Sequence, residues 1–573
     1  MTPVERDSEK KRDLDKKRII LSSIFLLIFI FGTFLIFTTP SNIEIKYNLT
    51  VETKDGEQIS FNTYEPIDRH NDKMTAIIIG HGVMVNKEML KSYAIELATS
   101  GFFVVTHDFR GHGLSSGELE RNKLKNDVKA IKKYLLDKGN IDRHNFGYIG
   151  YSMGGFAGND VVKDDNDFKF FIGVGTGLAL DYEDCKNRDL NILMILAKYD
   201  QGRRLEDSKE EIADRLNIDD EDVHVNKLYE SFETKNATKL FYDDNSDHFT
   251  TAYDQDFIRE ARDFAINTFP KVEPIDENFY ANFRFLILIM QIVSGLACFF
   301  LIIKPLAKLI VKPKEEEEEE VFEIKTEDET IETLSLKALI YSFVLAIPGM
   351  AIIFFTVFLF LPLTTAGLST AVLFGQAFGI LILLWRIGKK NDRGLIKEIL
   401  LKPFRGKRRD LLREIALGAI LASILYTILY LSIGLNYLGI IPSLNKVPWV
   451  LIYMAIGFFM LLIFSIFFQV IIQVKFEKGM KNLFKAALLQ YSILMVYFIT
   501  FVMIFCILMG TMFYNMFFYF AIPMFLLAVF ISALLYQQTG KILAGTIVNS
   551  VFILLIICTL SPLSFGLAIP GFS

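Results

Sequence analysis

Cysteine is scarce in this 573-residue chain, with only Cys185, Cys298, Cys506 and Cys558 present. Only Cys185 lies outside an apolar stretch, so no pair within one domain is available and a disulfide framework is excluded. An excess of charge of one sign is lacking too. Sixty-one Lys and Arg stand against 66 Asp and Glu, a net charge of −5, which offers no basic surface for a nucleic-acid partner. No His, Cys or carboxylate cluster has metal-ligand spacing, and no cofactor is implied. Apolar side chains, by contrast, are plentiful: 52%, before any of the 36 glycines are counted. Soluble domains reach only about 45–50% with glycine included. The excess is uneven, because Met1–Arg18 and Ser41–Asn282 are polar or mixed while most of the chain beyond Phe283 is apolar.

A bilayer core needs roughly 20 consecutive apolar residues. Ile19–Phe37 supplies them behind Lys16-Lys17-Arg18. The stretch Phe37-Thr38-Thr39-Pro40 has no small-x-small cleavage pattern, so this is read as a retained signal anchor. A second span is expected at 285–303. Seven more are expected near 338–361, 366–385, 414–434, 449–472, 487–509, 514–536 and 542–561. Lys and Arg gather on the cytoplasmic side of a membrane. Arg386–Arg413 holds eleven of them, Lys304–Lys337 six and Lys475–Lys485 four, whereas 435–448 holds only Lys446 and 362–365 and 510–513 none. The expected order is a cytoplasmic tail 1–18, an anchor 19–37, an extracytoplasmic domain 41–280, a span 285–303, an acidic cytoplasmic linker 304–337 and a seven-helix domain 338–561. The linker carries the run Glu315–Glu320, read as a solvated segment. Two glycosylation sequons, Asn48-Leu49-Thr50 and Asn236-Ala237-Thr238, fall on the outer side.

Between the first two spans the periodicity changes. Short β-rich runs (Met74–Gly80, Phe102–His107, Asn145–Ile149, Phe168–Val174, Ile192–Ala197, Leu240–Tyr242) alternate with helical stretches, the last at 254–268. That alternation predicts an α/β domain with a mostly parallel sheet covered on both faces, preceded by a hairpin over 43–64. In such sheets ligands sit at the carboxyl ends of strands. There lies Gly150-Tyr151-Ser152-Met153-Gly154-Gly155, after a strand and before a helix, the context of a nucleophile elbow. Serine needs a base. All seven histidines lie between His70 and His248, and the order Ser, acid, His leaves His224 and His248. His224 sits in an acidic, helical-looking insertion and reads as a surface residue; His248 comes just after the last strand. Asp200, at the end of the preceding strand, is the candidate acid that orients the imidazole. Val83, after Gly80-His81-Gly82, and Met153 offer the amides for an oxyanion hole. Asp108–Gly117 forms another turn at the same edge, its charges expected to brace the oxyanion loop and elbow rather than to touch substrate.

Taken together, Gly80-His81-Gly82, Asp108–Gly117, Gly150–Gly155, Asp200 and His248 resemble the α/β-hydrolases, in particular the serine aminopeptidase, monoglyceride-lipase-like and dienelactone-hydrolase-like members. The resemblance covers about residues 43–270. It implies hydrolysis of an ester, thioester or amide through an acyl-serine: Ser152 attacks, His248 shuttles the proton, Asp200 orients it, and Val83 with Met153 bind the oxyanion. Two departures stand out. Only 175–191 is available where many relatives carry a lid, and the extra material is 201–237, acidic and expected to be helical. The cleft is therefore open, or covered by that insertion, or by the membrane.

The fold class expected for the whole chain is thus an α/β-hydrolase-type domain plus an all-α polytopic transmembrane domain. No Asp, Glu, Lys, Arg or His falls in the core of the seven C-terminal spans. Gln376, Gln469, Gln473 and Asn549 read as hydrogen bonds between helices, and Gly375 and Gly379 as a close-packing face. Three functions stay open: a membrane-anchored serine hydrolase, a hydrolase domain serving a transport or lipid-handling module, and a non-catalytic binding or sensing protein. The substrate is a small molecule, a lipid or a peptide, and the lipid bilayer is the other expected partner.

Overall fold

The computed structural model describes residues 3–67, 73–311, 329–390, 396–477 and 479–564. The acidic run Glu315–Glu320 lies outside them. The chain opens with α1 (Pro3–Thr38), which carries the anchor on a longer helix. Then come β1 (Ile43–Glu52), β2 (Gln58–Pro66), β3 (Met74–Gly80), α2 (Lys91–Thr99), β4 (Phe103–His107), α3 (Leu124–Asp137), β5 (Ile141–Tyr151), α4 (Met153–Asp164) and β6 (Phe168–Val174). The domain closes with α5 (Tyr182–Cys185), β7 (Asn191–Tyr199), α6 (Leu205–Leu216), β8 (Leu228–Tyr229), β9 (Thr238–Asp247) and α7 (Gln255–Thr268).

The nine strands form one sheet in the order β1-β2-β4-β3-β5-β6-β7-β9-β8. Its middle is parallel, while β1, β2 and β8 pair antiparallel. Burial is set by position. Every residue of β3, Met-Thr-Ala-Ile-Ile-Ile-Gly, is buried, as a strand covered on both faces requires, whereas edge strand β1 alternates buried or half-buried with exposed residues. Register brings Gly80 level with His107 and with Gly150, Tyr151 with Val174, and Tyr199 with Asp247. One carboxyl edge thus carries all the turns singled out above. The segment 201–237 is only partly helical: after α6 it makes a short turn at Asp220–Asp222 and then adds β8 to the sheet edge.

The second half is helical. It comprises α8 (Tyr280–Ile310), α9 (Ile331–Val344), α10 (Ala346–Ile353), α11 (Thr364–Lys390), α12 (Ile396–Leu401), α13 (Arg408–Leu429), α14 (Val447–Ser465), α15 (Met480–Met509), α16 (Phe517–Thr539) and α17 (Leu543–Leu560). Among the described residues, eight helices are long and apolar enough to cross a membrane, α1 and α8 included. Where a span is expected near 338–361, the structure instead has α9 and a second piece, Ala346–Phe358, bent by 55°. Pro348 explains the break: it has no N–H for the Val344 carbonyl four residues back, and its ring crowds that oxygen. Gly379 lies against this pair, since a Cβ there would come within 2.4 Å of the Tyr341 carbonyl oxygen. The buried amides join helices as expected: Gln376 donates to the Ile493 carbonyl, Gln469 to Gln490, Gln473 to the Ala533 carbonyl, and Asn549 to Ser532 and the Ala528 carbonyl.

One part of the α/β domain shares a continuous hydrophobic core with the helical half, while the residues facing the other way along the same strands form a core of their own. Polar contacts tie them at several points. Asn86 and Gly439 exchange two hydrogen bonds of 2.7 and 2.8 Å, Lys91 donates to the Leu435 carbonyl, and Tyr253 to the Tyr437 carbonyl. Leu563 exchanges backbone bonds with Gly111 and Leu119. All these partners lie in segments 435–448 and 562–564, so the loops poor in Lys and Arg share one side with the α/β domain.

Candidate active site

The elbow is strained where the chemistry needs it. Ser152 has φ 50° and ψ −117°, a positive-φ conformation outside the regions that non-glycine residues ordinarily adopt. Glycines make the turn possible: a Cβ on Gly150 would fall 2.5 Å from the Gly155 Cα, and one on Gly154 2.3 Å from the Gly80 carbonyl oxygen. The helix α4 starts at Met153, so the Met153 N–H is one of the amides with no acceptor inside its helix.

Across from the elbow, His248 comes directly after β9 and is buried. Its Nε2 stands 3.0 Å from the Ser152 Oγ. Its Nδ1 stands 2.9 Å from both oxygens of Asp200. An ionised carboxylate only accepts, so Nδ1 carries the proton and Nε2 is left as the acceptor facing the serine hydroxyl. Asp200 is held in turn by the amides of Gly202 and Arg203, 2.7 and 2.9 Å away. Ser152, His248 and Asp200 are therefore brought together, Val83 lines the cleft beside Ser152, and His224 stays on the exposed surface.

The second turn braces the first. His81 accepts from the Phe109 amide through Nε2 and bonds the Gly82 carbonyl through Nδ1; burial lowers its pKa to about 4, so it stays neutral. Asp108 accepts from the Lys87 ammonium at 2.7 Å and from the Lys87 and Leu114 amides. Arg110 is clamped between Asp127 and Asp55. Burial lifts the Asp127 carboxyl to about 6 against the pull of Arg110, and the Arg110 guanidinium holds Asp55 well below the usual carboxylate range. None of these groups lines the cleft.

Several neighbours of the site escape a reading of motifs. Gln201 accepts from the His248 amide and donates to Asp247, and Tyr151 donates to the His248 carbonyl. Above all, the cleft is not roofed by 201–237. Its wall is Val83, Met84, Val85, Tyr151, Ser152, His248 and Phe249 on one side and Phe513, Met516, Phe517 and Phe520 on the other. The Phe513 ring meets the His248 ring edge-on at 5.7 Å. The sequence shows an aromatic-rich stretch, Phe513–Phe520, beside loop 510–513, but nothing in it pairs that stretch with the serine.

Sheet order, elbow and catalytic-type array define an α/β-hydrolase domain. More narrowly, residues 71–222 match the family of serine aminopeptidases S33, a stretch that includes Ser152 and Asp200 and ends before His248. No curated protein matches the chain. Among solved structures, the esterase Pf2001 of Pyrococcus furiosus is 18% identical, with 39% of this chain and 94% of the esterase covered at a TM-score of 0.31. The hypothetical protein PA2218 from Pseudomonas aeruginosa is 15% identical over 40% of this chain and 94% of its own, TM-score 0.30. DcsB, in complex with its substrate analogue, is 13% identical over 40% and 99%, TM-score 0.31.

Proposed function

We propose that this protein is a membrane-embedded serine hydrolase that cleaves an ester, thioester or amide at the extracytoplasmic face through an acyl-serine intermediate. The observation that carries the reading is the unbroken relay from Ser152 Oγ to His248 Nε2 at 3.0 Å and from His248 Nδ1 to Asp200 at 2.9 Å. As the Ser152 oxygen bonds to the substrate carbonyl carbon, its proton passes to His248 Nε2, and Asp200 stabilises the imidazolium. The amides of Val83 and Met153 receive the charge that develops on the carbonyl oxygen. Collapse breaks the bond to the leaving group, which takes the proton from His248. Water, deprotonated by the same nitrogen, then releases the acid and restores the serine. The outward orientation is supported by Arg386, Lys389, Arg408, Arg409, Arg413, Lys481 and Lys485, which lie at the ends of α11, α13 and α15 away from the segments 435–448 and 562–564 that meet the α/β domain.

The test is a membrane-impermeant fluorophosphonate applied to intact cells expressing wild type or Ser152→Ala. Labelling of wild type alone is the expected result. Labelling only after lysis inverts the topology, and no labelling at all removes the catalytic reading.

A further inference from the structure

We propose that the membrane half forms the acyl-binding part of this site and that the substrate carries a long unbranched acyl chain. The inference rests on the serine-hydrolase reading and adds what the serine acts upon. The cleft at Ser152 holds about 440 Å³ of free space, part of it open to solvent. Behind it lies a second cavity of about 560 Å³, within the helical half. Met84, Phe517 and Phe520 line both, so three side chains separate the serine from the deeper chamber.

The chemistry of the deeper chamber is one-sided. Its wall includes Leu373, Phe498, Ala521, Phe525, Ile556 and Leu560, and among the described residues its only polar side chains are the hydroxyls of Thr365 and Ser369. A peptide entering it would leave backbone N–H and C=O groups without partners, and a sugar its hydroxyls. A hydrocarbon chain loses nothing there and gains for every methylene that leaves water. Beyond Leu373 and Phe525 a third space begins, and it is lined by Gln490, Asn549, Ser465 and Ser532 as well as apolar groups. The mainly apolar path therefore has an end as well as an entrance. At the entrance, Met84 sits at φ 62°, its flexible thioether suited to a gap that must fit a chain of varying shape. The acyl carbonyl rests at the Ser152 Oγ, and the tail passes between Met84, Phe517 and Phe520 into the second chamber.

The experiment uses the full chain in lipid nanodiscs with 4-nitrophenyl esters of butanoate, octanoate, dodecanoate and hexadecanoate. The reading is the ratio of kcat/KM for dodecanoate to that for butanoate, which is independent of the fraction of active protein. Burial of a methylene is worth up to about fourfold, so a ratio above about tenfold is expected in wild type. Ala521→Phe and Ser369→Leu, which fill the chamber from two helices, should each lower it by about tenfold or more. A wild-type ratio near one, or ratios that both variants leave in place, overturns the proposal while the hydrolase reading stands. A fatty acid carrying a photoreactive diazirine, tested on Ser152→Ala, reads the chamber without catalysis. Its crosslinking to 517–525 is expected, and its absence there counts against the proposal. Crosslinking without any Ser152-dependent turnover, even of butanoate, would instead mean that the chamber holds acyl chains and the catalytic reading fails. Release of fatty acid from the nanodisc lipid itself, or only from added ester, separates a membrane lipid from a soluble acyl donor.

Discussion

The hydroxyl of Tyr519, on the apolar helix α16, donates to the carboxylate of Asp247 at 2.5 Å. Asp247 is the residue before His248. The same carboxylate accepts from the Phe249 and Thr250 amides, from the Thr250 hydroxyl and from Gln201, and Phe249 stacks on the Tyr519 ring at 5.1 Å. Burial works to raise the Asp247 carboxyl, but the hydrogen bonds from Tyr519, Thr250 and Gln201 outweigh it and hold it below its usual range. The loop that presents the candidate base is thus fastened to the helical half.

Tyr519→Phe should therefore loosen that loop without emptying its space. A hydrogen bond to a charged group contributes about 1.5–3 kcal/mol, and small displacements of a base are costly in rate. The expected outcome is a lower Tm in detergent together with slower fluorophosphonate labelling of Ser152. An unchanged labelling rate would show that the sheet alone holds His248 in place.

Asp200→Asn tests a different link in the relay. Asparagine keeps the shape but can donate to Nδ1, which turns the imidazole into the wrong tautomer. A drop in kcat of about 10⁴-fold is expected, as in triads of this kind, with little change in Tm. Loss of activity together with loss of folding would mark Asp200 as a structural residue instead.

The carboxyl-edge motifs were legible because each is local. An elbow needs a strand, glycines and a helix in a row, and Asp200 and His248 each come at the end of their own strand. The long helices of the second half were legible as apolar runs, but 338–361 reads as one span by its apolar length alone, and the bend that Pro348 imposes there was missed. Motif reading could not supply the roof. Phe513, Met516, Phe517 and Phe520 reach Ser152 only because the helical half folds back onto the domain more than 350 residues earlier in the chain, a pairing that no local pattern encodes. The segment 201–237 departs from its expected helical form for a related reason. Its acidic helical stretch is real, but the β8 pairing with β9 carries the end of it along the sheet edge.

Arg110→Ala should be severe although Arg110 lies outside the cleft. Its guanidinium bonds Asp127, which is fully buried, at 2.7 Å, and also Asp55. Removing one partner of a buried pair leaves an uncompensated charge and costs about 3–5 kcal/mol. Arg110→Lys should recover little, since one ammonium cannot serve two carboxylates as a fork does. Yield of folded protein and Tm measure this; a Tm within a degree of wild type for Arg110→Ala would contradict the bracing role.

The joint between the halves should respond to pH. Glu96, on α2, accepts from the amides of Tyr280 and Ala281 at the start of α8, both at 2.6 Å. Burial raises its pKa to about 7 from the usual 4.5, the amide bonds opposing the shift only in part. A carboxyl with a raised folded-state pKa binds more protons in the folded protein than in the unfolded chain. Its contribution is therefore fully present below pH 4.5 and is lost as pH rises through about 7. The difference, 7 − 4.5 = 2.5, corresponds to roughly 3 kcal/mol at about 1.4 kcal/mol per unit. Glu96→Gln keeps an acceptor for both amides and does not titrate. Its Tm relative to wild type should be unfavourable or equal at about pH 4.5 and should climb steadily up to about pH 8. Other buried groups titrate in both proteins and cancel in the difference; His81, lowered to about 4, is one whose own effect has the opposite sign. A difference that stays flat across that range would mean that Glu96 is ionised throughout and caps α8 as a charge.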